Sequence, residues 1–327
     1  MKFCQKSAGL VAMALVFLYL SSCRTSPAKE NENNKTDLKG HISISGAFAL
    51  YPLTVAWAEE FESLHPGVNI DVNAGGAGKG MVDVLSDMVD LAMFSREVSP
   101  QEEEKGAWKL AVAKDAVFPT VNASCPVLAE LQSKGLTRDQ FLQLFTREAS
   151  QSWSDFDDFS SPDHINVYTR SDACGAAAMW ALFIDRQQED LRGTGVFGDP
   201  GIADAVKKDP YGVGYNNLIY IFSGKTGQVN EGLAIIPVDL NGDRVISEDE
   251  DFYSTMKAAR DAIREGRYPS PPSRDLYLIS KGYPGNPLVI DFLKYILTDG
   301  QNLISGAGYV KIPEALLDEQ KVLLNRK

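Results

Sequence analysis

One short run of this 327-residue chain carries groups suited to holding an anion. It is "VYTRSDACGAAAMWALF", with Arg170, Asp172, Cys174, Gly175 and Ala176 in close succession. Small residues at a helix start leave backbone N–H groups uncovered at the positive end of the helix dipole. An arginine just upstream adds a fixed charge and a planar fork of donors. Asp172 fits two roles, capping the helix or holding Arg170 by a charge-assisted pair. The same residues also read as a surface Arg–Asp pair ahead of an alanine-rich core helix. Three further strand ends carry glycine or small residues: Ala47 and Phe48 after Gly46, Gly76 and Ala77 in "GGAGKGM", and Ser95 with Arg96 in "AMFSRE". The glycine run is neither of the common phosphate-loop patterns. A Walker loop needs glycine at Asn73 and a hydroxyl at Gly80, and G-x-G-x-x-G fails at Met81. What remains is a glycine turn that either exposes amide donors or serves chain geometry alone.

A second, independent pattern is "DLNGDRVISEDE", Asp239 to Glu250. Asp239, Asn241 and Asp243 take the first, third and fifth positions of a twelve-residue loop. Val245 offers a carbonyl at the seventh, Ser247 stands at the ninth and Glu250 at the twelfth. The pattern resembles an EF-hand calcium loop, which surrounds one cation with oxygens. Arg244 stands where the sharp-turn glycine belongs. The expectations are a structural calcium ion or a metal-free acidic turn. No other cofactor is expected.

Enzyme chemistry finds little support. The chain has three histidines, and none sits in a nucleophile pattern. Cys174 at a helix start resembles an activated thiol, but no base accompanies it and Trp180 stands where a phosphatase arginine would be.

Strand and helix periods alternate along the chain. "HISISGA" reads as a strand, and "YPLTVAWAEEFESLHPG" as a helix with Leu53, Trp57, Phe61 and Leu64 on one face. "VNIDVNA" and "VDLAMFS" are strands flanking a helix through "MVDVLSDM". A strand through "DAVFPTVNAS", a helix from Leu136 to Thr146 capped by Thr137, and strands through "INVYTR", "GVGYNNLIYIF" and "GLAIIPVD" follow. "YSTMKAARDAIREG" and "PLVIDFLKYILTDGQNLISGAG" read as helices and "SRDLYLIS" as a strand. The alternation predicts an α/β fold with a largely parallel sheet. At this length, two domains are expected.

The net charge of −12 disfavours nucleic acid and anionic membrane surfaces as partners. Residues 1–22 read as a signal peptide, with Lys2 and Lys6 before an apolar run too short to span a bilayer. "LSSC" resembles a bacterial lipobox, which implies lipidation of Cys23. Residues 23–40 are polar and read as a tether. Cys125 and Cys174 are then the remaining thiols, and sequence leaves their pairing open.

The order "ISISGAFALYPL", "GGAGKGM", "VDLAMFSREV", "TRSDACGAA", "GVGYNN", "SRDLYLIS" resembles the periplasmic phosphate-binding proteins of ABC transporters. The resemblance runs from residue 41 almost to the end. It implies two α/β lobes joined by two crossovers around a ligand cleft. Lobe one is residues 41–120 and 271–327, lobe two 121–270, with crossovers near Phe118 to Asn122 and Pro269 to Arg274. It further implies a monomeric lipoprotein outside the inner membrane, touching the membrane through its lipid only. Its function would be to bind phosphate or a related oxyanion and pass it to a permease, without catalysis. The implied ligand residues are Ala47, Phe48, Gly76, Ala77, Ser95, Arg170, Asp172, Cys174, Gly175 and Ala176. The departures are chemical. Ala47 and Ala49, Ala77, Cys174 and Ala176 stand where the family carries hydroxyls, so binding must lean on backbone amides and Arg170. A sensor or interaction module without transport, on the same fold, is the alternative.

Overall fold

The computed structural model describes residues 38–149, 151–156, 159 and 161–326. The signal peptide, Cys23 and most of the tether lie outside the described residues. In chain order the elements are β1 (Lys39–Gly46), α1 (Tyr51–Leu64), β2 (Gly67–Ala74), α2 (Ala77–Leu85), β3 (Leu91–Phe94), α3 (Pro100–Glu104) and β4 (Ala107–Asn122). Then come α4 (Leu128–Lys134), α5 (Arg138–Thr146), β5 (Gln151–Ser152), β6 (His164–Arg170), α6 (Gly175–Phe183), β7 (Thr194–Val196), α7 (Asp199–Lys208), β8 (Gly212–Asn217), α8 (Leu218–Ile221) and β9 (Leu233–Ile235). The chain ends with α9 (Met256–Glu265), β10 (Ser273–Lys281), α10 (Pro287–Leu297), α11 (Gln301–Gly306) and α12 (Glu314–Asn325).

The helices form where periodicity and caps agree. In α1, Leu53, Trp57 and Phe61 are buried on one face, and Leu64 ends the helix exposed. Thr137 caps α5 in a reciprocal capping box with Gln140. Gly266 stops α9 in the left-handed conformation. No helix among the described residues is long and apolar enough to cross a membrane.

The strands order as β2-β1-β3-β10-β4-β8-β6-β5, with β7 on β6 and β9 on β4. β1 runs parallel to β2 and β3, and β6 parallel to β7 and β8. β10 is antiparallel to β3 and β4, and β4 is antiparallel to β8 and β9. The sheet is therefore mixed rather than largely parallel. The cause is β4: its first half pairs with β10 and its second half with β8, so one long strand enters both halves of the molecule. One hydrophobic core gathers residues from Ile42 to Ala113 and from Leu276 to Leu324. The other gathers Ala116 to Tyr268, with Val310.

Two readings change. "LIYIF" was expected as strand but forms the short α8; a brief apolar run does not by itself separate strand from helix. The long C-terminal helix breaks into α10 and α11 around Thr298 to Gly300. Gly300 packs against Trp57, whose indole N–H donates to its carbonyl at 2.8 Å.

Candidate anion-binding site

The glycine turns first position the backbone. Gly46 closes β1 at φ +133°, and a Cβ there would lie 2.3 Å from the Met93 carbonyl oxygen. Its own carbonyl accepts from the amides of Gly75 and Gly76 at 2.9 and 3.0 Å. The first two loops are thus laced together at the ends of parallel strands, where open α/β sheets present ligands.

From the other half, β6 ends at Arg170 and α6 begins at Gly175. The two halves touch here at several points. The Gly78 amide donates to the Ala173 carbonyl at 3.2 Å. Gly76, at φ +91°, lies so close to Asp172 that a Cβ would sit 2.8 Å from its Oδ2. A Cβ on Gly175 would sit 2.1 Å from the Ser95 carbonyl oxygen and 2.3 Å from its Oγ. The Tyr220 hydroxyl donates to the Phe48 carbonyl at 2.9 Å. The Phe48 ring covers the Arg170 guanidinium at 5.6 Å and meets Phe197 edge-on.

Arg170 has its whole side chain buried. Its Nε donates to Asp172 Oδ1 at 2.8 Å and its Nη2 to Oδ2 at 2.5 Å. Its Nη1 donates to Asp199 Oδ2 at 2.6 Å. Burial opposes the charge on Arg170, but the Asp199 carboxylate, then Asp172, outweigh it and raise its pKa. The guanidinium is therefore held ionised by two carboxylates, the expected Asp172 and the unforeseen Asp199. Asp199 was missed altogether; an aspartate just before proline at a helix start reads as a cap.

The network continues inward. Asn217 donates to Asp199 and accepts from Arg274. Arg274 also donates to the Gly175 carbonyl at 3.2 Å and lies 3.5 Å from Asp115. Burial pushes the Asp115 carboxyl up to about 7, with Arg274 pulling against it. Burial also raises Asp199 against the pull of Arg170 and Arg274, and lowers Arg274 against the pull of Asp115. The Tyr215 hydroxyl accepts from the Arg170 amide at 3.1 Å and pairs with Thr169 at 2.8 Å, fixing the end of β6.

Asp172 holds Arg170 and does not cap α6. Cys174 is the cap, its Sγ accepting from the Ala177 amide at 3.3 Å. Burial pushes that thiol up to about 12, with the Arg170 charge opposing, the opposite of the lowered pKa that activates a thiol. Cys125 and Cys174 are both free and buried. The Cys174 amide was expected to face a ligand, but it donates to Gln188 at 3.1 Å. The Ala47 amide likewise goes to Met93 at 2.9 Å. Among the described residues, the amides of Phe48, Ala77, Gly175 and Ala176 donate to no protein acceptor. Lys79, in the glycine-rich run, pairs with Asp83 on its own helix and so adds no free charge from that helix. Arg96 forks onto Glu102 at 2.8 and 2.9 Å. The structure thus brings together Phe48, Gly76, Ala77, Ser95, Arg170, Asp172, Gly175 and Ala176.

The 239–250 loop lies in the second half. Asp239 accepts from the amides of Gly242 and Arg244, Asn241 from Asp243, and Asp243 from Val245. Glu250 accepts from Leu240 and Ser247. Arg244 takes the glycine position at φ +64°. Its guanidinium lies 3.9 Å from Asp239 and donates to Gly135 and Gln140. Among the described residues no group of three or more His, Cys, Asp or Glu is placed to hold a metal. The carboxylates face the loop's own amides instead.

Two halves, each with parallel strand pairs and antiparallel ones, meet over a buried arginine. The family description that fits this chain, PBP superfamily domain, covers residues 31–300. The chain belongs to the PBP superfamily. It is 24% identical over 333 residues to Protein SphX of Synechocystis sp., covering 98% of this chain and 90% of that protein. It is 22% identical over 284 residues to the phosphate-binding protein PstS of Staphylococcus haemolyticus, covering 85% and 83%. Among solved structures, a phosphate-bound ABC transporter substrate-binding protein of Clostridium perfringens superposes with a TM-score of 0.68 at 20% identity, over 84% of this chain and all of that one. An ABC-type phosphate transport receptor of Vibrio cholerae superposes at 0.61 with 19% identity, over 83% of this chain. These likenesses establish the two-lobed α/β fold.

Proposed function

We propose that this PBP-superfamily chain is an extracytoplasmic solute-binding protein that captures phosphate or a related oxyanion and hands it to an ABC transporter permease. The observation that carries the reading is the buried Arg170 at the junction of the two halves, under the Phe48 ring, together with loop and helix-start amides at Phe48, Ala77, Gly175 and Ala176 that have no protein acceptor among the described residues. The names of the relatives support the choice of phosphate. Backbone donors replace the hydroxyls that the sequence lacks, and they need no side chain to do so. Ligand binding stabilises the closed arrangement by its differential affinity for it. The chain acts without catalysis; the one thiol near the site is buried and protonated. Anchoring through a lipid on Cys23 and a monomeric state complete the proposal.

Titration calorimetry of the mature domain with phosphate, arsenate and sulfate tests it. Phosphate should release heat and raise the melting temperature. Silence from all three oxyanions would refute the proposal.

Calcium at the 239–250 loop is a separate proposal. The side-chain-to-amide ladder at the first, third and fifth positions supports it. The Arg244 guanidinium beside Asp239 and the lack of converging carboxylates oppose it. A melting temperature that is the same in calcium and in chelator would dispose of this ion.

A further inference from the structure

Amide donor and aromatic surface come together at one residue, Phe48. Its amide donates to no protein acceptor among the described residues. Its carbonyl is turned aside, accepting from the Tyr220 hydroxyl at 2.9 Å. Its ring lies 5.6 Å from the Arg170 guanidinium on one side and 5.7 Å from the Phe197 ring on another, the two planes at 85°. Phe48 comes from the turn between β1 and α1, and Phe197 from the turn between β7 and α7, so the aromatic pair spans the two halves. The turn that carries Phe197 is fixed. The neighbouring Gly198 amide donates to Asp172 Oδ1 at 3.2 Å, and a Cβ on Gly198 would lie 3.2 Å from Phe48 Cζ. Phe197 is nonetheless 62% exposed. A phenyl ring fixed beside binding loops, with most of its surface in water, offers apolar area that a ligand can cover.

Polar donors are scarce on this side. The Nε, Nη1 and Nη2 of Arg170 all donate to Asp172 or Asp199, and the Tyr220 hydroxyl is engaged by Phe48. Inorganic phosphate presents oxygens at all four corners, and a buried oxygen without a donor is costly. A corner turned toward Phe48 and Phe197 meets rings in place of donors. Resting on the oxyanion reading above, we infer that the site favours a phosphonate, a phosphorus oxyanion with an apolar organic group in place of one oxygen. Three oxygens take the backbone amides and the organic group lies against Phe197. The exchange removes the oxygen that lacks a donor and covers exposed aromatic surface, at the same ligand charge.

The test is titration calorimetry of the full mature protein with inorganic phosphate and with phenylphosphonate, at a pH where both are dianions. Phenylphosphonate should bind about tenfold tighter than phosphate. In Phe197→Ala the ratio of the two affinities should collapse toward one, and in Phe197→Tyr, which keeps the ring, it should persist. Phe197 is exposed, so neither change opens the core, and equal melting temperatures check this. A merely structural Phe197 would weaken both ligands alike and leave the ratio in place, which overturns the inference. Phosphate bound as tightly as phenylphosphonate, or more tightly, also overturns it and leaves the function standing. Phenylphosphonate bound while phosphate stays silent supports the inference and removes inorganic phosphate as the ligand. Silence from both overturns the oxyanion reading and this inference with it.

Discussion

Replacing Gly175 by alanine adds one methyl group where the two halves come closest. Gly175 needs no special backbone angle; its requirement is space. A Cβ would lie 2.1 Å from the Ser95 carbonyl oxygen and 2.3 Å from Ser95 Oγ, where ordinary contact begins at 3.4 Å. The hydroxyl can rotate away. The carbonyl belongs to the backbone following β3 and cannot move without moving the first half. Overpacking of this kind costs about 1–3 kcal/mol and occasionally more. A backbone clash belongs at the upper end, and about 3 kcal/mol is roughly a hundredfold in affinity. The clash falls only on the arrangement with the halves together. Once they part, alanine in a helix is preferred to glycine by up to about 1 kcal/mol. Gly175→Ala should therefore bind phosphate roughly a hundredfold more weakly while its ligand-free melting temperature stays level or rises. Calorimetry gives the first number and scanning calorimetry the second. Unchanged affinity would refute the contact between Ser95 and Gly175 as part of the bound state. A steep fall in ligand-free stability would refute the claim that the glycine serves closure rather than folding.

Arg170→Met should abolish oxyanion binding and destabilise the protein by about 3–5 kcal/mol, because Asp172 and Asp199 would be left without their guanidinium; equal denaturation midpoints for variant and wild type would contradict this. Asp115 gives a pH signature. Its folded pKa of about 7 exceeds the unfolded value of about 4, so the folded state binds the extra proton between them. Stability should fall as pH rises through that window and level off above it. Asp115→Asn should flatten the fall, and parallel denaturant profiles from pH 4 to 8 would count against the assignment. The Cys174 thiol, buried and raised to about 12, should resist iodoacetamide at pH 8 until the protein unfolds; rapid labelling of native protein, read by mass spectrometry, would show the cap geometry to be wrong.

Much of the fold was legible because it rests on short-range patterns. Leu53, Trp57 and Phe61 repeat at helical spacing, and Thr137 with Gln140 spells a capping box. The start of β4 was not legible. Lys114 and Asp115 looked like the edge of a strand, but they lie within it. Lys114 pairs with Asp275 at 2.6 Å and Asp115 is buried beside Arg274. Charges inside a strand become tolerable only once a distant strand supplies their partners. The break between α10 and α11 has the same origin, since Trp57 from α1 claims the carbonyl of Gly300.

At the candidate site, the local run Arg170 to Ala176 was readable. An arginine, an aspartate two residues on and a helix opening on small side chains are all set within a few residues. Which amides stay available was only partly readable, because Gln188 and Met93 take two of them from elsewhere in the chain.

The sequence by itself determined the alternating elements, their caps and a helix start able to receive an anion, since neighbours in the chain settle each of these. The tertiary structure alone decided the charge of that place. Asp199 lies 29 positions from Arg170 and reaches it only because α7 packs on β8 beside β6. Electrostatic energy depends on distance through space, and a linear order of residues does not contain that distance.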